Sequence, residues 1–87
     1  MAKRYVHKTG KNLHGDITKL CNDGQSWSPR QKADAIYDIE NGLHEYWVPW
    51  AQGPETQIRV VRGPTGKYLR TDRDATQRNN LDDLPDC

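Results

Sequence analysis

Apolar residues recur at helical spacing in one stretch of the chain. At about 100° per residue, Ala33, Ala35, Ile36, Ile39 and Leu43 share one side, and Gln31, Asp34, Asp38 and Asn41 fall opposite, toward water. Lys32 lies near the apolar edge, where its stem covers core and its ammonium stays wet. Both ends carry signals. Ser28 is placed to cap the first turn, Pro29 fits the first helical position, and Gln31 completes a capping box. Gly42 supplies a left-handed residue that stops the helix. The pattern predicts a helix over residues 29–41.

Elsewhere the period shortens to two. Residues 3–8 read as an edge strand, with Tyr5 and His7 alternating with Val6. Residues 9–12 read as a turn, and residues 16–21 as a second, bulged or short strand, because Ile17 and Leu20 stand three apart. After Gly42, Tyr46, Val48 and Trp50 share one side of a strand and Trp47 the other, and Pro49 marks it as an edge or its end. Residues 56–62 place Ile58 and Val60 inward, with Val61 on the outer face; residues 63–66 turn; residues 67–71 return with Tyr68 and Leu69 opposed. The order β-β-α-β-β-β predicts an α+β, two-layer domain: an antiparallel sheet of four or five strands with one helix packed on one face.

Composition narrows this further. Eighty-seven residues make a single domain, 33% hydrophobic, without Phe, and with a mean hydropathy of −1.06. Its core must be small and built largely on three Trp and four Tyr. No apolar run is long enough to span a membrane, and the charged start at residues 1–5 lacks the apolar region of a secretory signal. The expected setting is therefore cytoplasmic, where Cys21 and Cys87 would be reduced. Residues 1–71 hold eleven Lys and Arg against seven Asp and Glu, a balance of +4, and residues 72–87 hold two against five, a balance of −3. A basic body thus carries a polar, acidic tail, expected to be partly ordered through Leu81 and Leu84.

Several motifs occur together in one order: Leu20-Cys21-Asn22, Trp27-Ser28-Pro29, the Ala35/Ile36/Ile39/Gly42 helix, Tyr46 and Val48, residues 66–71, and Asn79-Asn80-Leu81 with Leu84-Pro85. In this the chain resembles a family of small, functionally uncharacterised bacterial proteins, a domain of unknown function spanning nearly the whole length. The resemblance implies a stand-alone domain of this size and brings no catalytic residue, cofactor or substrate.

Five kinds of chemistry are open to these residues. His14, Cys21, His44 and Cys87 are metal-ligand types, but no pair has the close spacing of a metal motif, so no metal and no cofactor is expected. Asp72, Asp74, Thr76 and Asp83 superficially track a calcium loop, yet Gln77 stands where that loop needs Gly. Arg59, Arg62, Lys67 and Arg70, beside Tyr68, combine cations and an aromatic ring on two paired strands, as nucleic-acid binding requires. Trp47 and Val61, on the face away from the helix, make an apolar patch suited to a protein partner or a weak homo-oligomer. Catalysis has the least support. No phosphate loop or nucleophile elbow is present, and only Cys21 with His14 could be written as a nucleophile and base. The expectation is a non-enzymatic binding module, with nucleic-acid binding through residues 56–71 as the alternative.

Overall fold

The computed structural model describes residues 2–51, 53–64, 66–71 and 80–87. Among them lie eight strands and one α-helix: β1 (Ala2–Tyr5), β2 (Lys8–Lys11), β3 (Ile17–Cys21), β4 (Arg30–Gln31), α1 (Lys32–Glu40), β5 (His44–Val48), β6 (Thr56–Gln57), β7 (Arg59–Gly63) and β8 (Gly66–Arg70). A 3-10 turn, Asn80–Asp83, follows. The class is α+β, as the pattern predicts, but the single antiparallel sheet is not formed. The strands make three small sheets, β1-β5-β6, β2-β3-β4 and β7-β8.

The physical reason is visible at two breaks. The first predicted strand divides at Val6. The residues before it pair in parallel with β5, Tyr5 opposite Trp47, and those after it pair antiparallel with β3, Thr9 opposite Leu20. Val6 is fully buried at the division, and its N–H still donates to the Trp47 carbonyl, 2.8 Å away. Residues 9–11, predicted as a turn, are therefore strand. The turn lies at 12–16, where the Asn12 side-chain oxygen accepts the N–H groups of His14 and Asp16. The second break is Ile58, buried between β6 and β7.

The helix is shorter at its start than its caps suggest. The Ser28–Pro29 peptide is cis, the Ser28 hydroxyl accepts the Asn22 N–H at 2.9 Å, and Arg30–Gln31 is extended against β3. Gln31 holds the cap position with no side-chain cap bond. The far end forms as predicted. Gly42 has φ 67°, its N–H donates to the Ile39 carbonyl, and the Leu43 N–H donates to the Asp38 carbonyl, a Schellman closure. Ala35 is buried and Ile36 and Ile39 pack on the core, whereas Ala33 and Leu43 are exposed. Asp34 is exposed as expected, but Asp38, assigned to the wet face, is only 1% exposed.

The core gathers Val6, Ile17, Leu20, Ala35, Tyr46, Val48, Ile58, Leu69 and Leu81, with Trp27, Trp50 and Leu84 against it. Both tail leucines are thus anchored, as predicted. The closing segment lies along β2: Thr9 donates its N–H to Pro85 and its hydroxyl to Leu81, and the Lys11 ammonium pairs with Asp86 at 2.7 Å. Cys21 and Cys87, expected as separate thiols, form a disulfide joining β3 to the last residue, with Cα atoms 6.5 Å apart. Among the described residues, no helix is long and apolar enough to cross a membrane.

Candidate functional site

Side chains alternate across a strand, so the register of the β1-β5-β6 sheet sorts them into two faces. Lys3 stands opposite Glu45, Tyr5 opposite Trp47, and Trp47 opposite Gln57; these share the face away from the helix. Arg4 stands opposite Tyr46, on the face toward it.

On the outer face, the Lys3 ammonium lies 4.4 Å from the centre of the Trp47 ring and 5.3 Å from that of Tyr5. It also pairs with the Glu55 carboxylate. The Trp47 indole N–H donates to Glu45 at 2.9 Å. Both rings are half-buried, and Lys3, Glu55 and Gln57 are exposed. The Glu55 carboxylate, aided by Tyr5, raises the Lys3 pKa above its ordinary value, and Lys3 in turn holds Glu55 below the usual carboxylate range. Two aromatic rings and the Glu55 carboxylate thus surround one cation.

The inner face carries a network of opposite purpose. Arg30 donates to both Asp38 oxygens at 3.0 Å, and the Tyr46 hydroxyl donates to Asp38 at 2.6 Å. Arg4 donates to the Tyr46 oxygen at 2.8 Å and lies 3.7 Å from the Asp38 carboxylate. Arg4 also donates to His44 Nε2 at 3.1 Å. A guanidinium only donates, so Nε2 accepts and the His44 hydrogen sits on Nδ1, which is buried without a partner. The Trp27 ring meets Tyr46 edge to face, centroids 5.8 Å apart. Burial pushes the Asp38 pKa up, but the Arg30 and Tyr46 hydrogen bonds outweigh it and leave the carboxyl below its ordinary value. Burial and the adjacent carboxylate keep the Tyr46 phenol protonated, well clear of neutrality. The network ties β1, β4, α1 and β5 together.

The basic hairpin divides as well. Arg59 pairs with Arg70 and Val61 with Tyr68, which puts these four on one face. Arg62 pairs with Lys67 on the other, where Val60 and the fully buried Leu69 face the core and Lys67 bonds Glu40 at 2.7 Å. That inner side borders a groove of about 330 Å³ floored by Ile39, Ile58 and Val60. Of the five predicted nucleic-acid residues, the register therefore unites Arg59, Tyr68 and Arg70 and separates Arg62 and Lys67. Trp47 and Val61, predicted as one patch, stand on different sheets.

The metal candidates do not converge. His14 sits in the exposed turn, His44 contacts Arg4, and both cysteines are in the disulfide. Among the described residues, no three His, Cys, Asp or Glu gather as a metal group. The disulfide also removes Cys21 as a nucleophile for His14. The calcium-like spacing falls largely on residues 72–79, outside the described residues.

Sequence reasoning missed the whole inner network and the part Lys3, Tyr5, Glu45 and Glu55 play around Trp47. The alternation was present in both strands, but a parallel pairing across 42 positions leaves no local mark.

No curated protein and no solved structure matches the chain. A family model does match, over residues 3–85, and the chain belongs to that family, described as protein of unknown function (DUF3892).

Proposed function

We propose that the chain is a small non-enzymatic binding module that docks a protein partner, or a second copy, on the outer face of the β1-β5-β6 sheet. The observation that carries this reading is the side-by-side placement of Tyr5 and Trp47, half-buried and flanked by charged residues, on the face away from the helix. Aromatic anchors with a polar surround are the usual energetic centre of an interface. The described ionisable groups in the interior are engaged in bonds that join elements, which supports a binding role over catalysis. Immobilised chain should retain a partner saturably, or self-associate. Trp47→Ala, checked for native circular dichroism, should cost about 2 kcal/mol or more of that binding. A monomer that retains nothing at high loading ends this reading.

A second reading places nucleic acid on the hairpin face that carries Arg59, Arg70 and Tyr68 in register. It predicts a mobility shift with single-stranded RNA or DNA that weakens with salt and weakens further in Arg59→Ala and Arg70→Ala. No shift at low ionic strength removes it. The compartment is open to one observation: a disulfide such as Cys21–Cys87 persists in oxidising surroundings, rather than in the reducing cytoplasm that the sequence suggests.

A further inference from the structure

Resting on the docking reading above, we propose that the Tyr5/Trp47 face recognises a lysine side chain of the partner polypeptide, and that Lys3 is an internal stand-in for it. The warrant is the occupant already seated there. An ammonium finds two ring faces at 4.4 and 5.3 Å and the carboxylate of Glu55, the combination that recognises cations by ring quadrupole and ion pairing together. Glu45 fixes the Trp47 ring through its indole N–H, so the site is held in shape from alongside rather than by the cation alone. Charge selects the occupant: the Glu55 carboxylate disfavours an anion, and two rings beside a carboxylate suit a compact ammonium.

Lys3 remains two-fifths exposed, so the seat opens to solvent. An internal lysine competes at a high effective concentration, and an incoming one must displace it. The intact chain therefore binds lysine weakly, and removal of Lys3 exposes the full affinity of the site.

The test follows the Trp47 indole N–H signal by nuclear magnetic resonance during titration with a Gly-Ser-Lys-Ser-Gly peptide. The control replaces the lysine with norleucine, which keeps the stem and deletes the charge. In Lys3→Ala the lysine peptide should shift the signal with an affinity about tenfold above that of the intact chain. The norleucine peptide should leave it in place, and adding Glu55→Gln should cancel most of the gain. Unmoved Trp27 and Trp50 indole signals confirm that each variant is folded. Equal shifts from both peptides, or none from the lysine peptide in Lys3→Ala, overturn the proposal. If partner retention still falls in Trp47→Ala when the lysine peptide fails, docking stands and the ammonium assignment does not. If both fail, the docking reading goes too.

Discussion

Truncation of Asp38 to alanine should lower stability by about 3–5 kcal/mol, the range for removing one partner from a buried ion pair. The residue is only 1% exposed and its carboxylate accepts from Arg30 twice and from Tyr46 once. Without it, the buried Tyr46 phenol loses its acceptor and the Arg30 guanidinium, about a third exposed, keeps only water on its open side. For a domain of this size the loss is a large fraction of the total. Asp38→Asn keeps an oxygen in place and should cost less. Urea unfolding followed by tryptophan fluorescence measures both. A change below about 1 kcal/mol for the alanine variant would mean that the carboxylate contributes no more than a surface charge. The same residue sets a pH dependence. Its folded pKa lies below its unfolded value, 3.8 in the ordinary reference. The contribution is therefore complete above that value and lost as pH falls through the lower, folded one. Unfolding midpoints of the native chain should drop below about pH 4, and the Asp38→Asn variant should show a shallower decline.

Breaking the Cys21–Cys87 disulfide should cost about 4 kcal/mol, from the chain entropy of a cross-link between residues 66 apart. The bond closes just over three-quarters of the chain. It also holds the end of a segment whose other ties include Leu81 and Leu84 on the core, the Thr9 hydrogen bonds and the Lys11 ammonium on Leu84 and Asp86. Cys87→Ser, or dithiothreitol on the native chain, should lower the unfolding midpoint to the same degree. The untreated protein should show no accessible thiol in denaturant. Two titratable thiols, or a midpoint indifferent to reductant, would contradict the bond.

What was legible in the sequence was local. The stop at Gly42 is a matter of adjacent backbone, and it forms as the residues indicate. Tyr46 and Val48 are buried and Trp47 is set apart from them because strand alternation needs no knowledge of the partner. The hairpin around residues 63–66 is equally self-contained. The failures are those in which a distant segment decides. Ser28 and Pro29 carry good cap chemistry, but Asn22 takes the hydroxyl and β3 takes the next two residues as a strand. Asp38 belongs to the polar side of α1 by angle, yet three other elements bring Arg4, Arg30 and Tyr46 to it. Lys3 looks like an ordinary edge charge until β1 is laid beside β5 in parallel. For the site the same division holds: Trp47 could be singled out from its own strand, but its neighbours could not.

The parallel join of β1 to β5 also governs the order in which the molecule can be built. During synthesis the first strand emerges some forty residues ahead of the one that completes it, Ala2 waiting for His44. Until then Val6 has no Trp47 carbonyl to bond and Tyr5 no neighbouring ring. Before that, β2 and β3 can already pair with each other, whereas β1 has no partner strand. Distant pairing of this kind slows folding, and it leaves the first strand without a partner until residues 44–48 are in place.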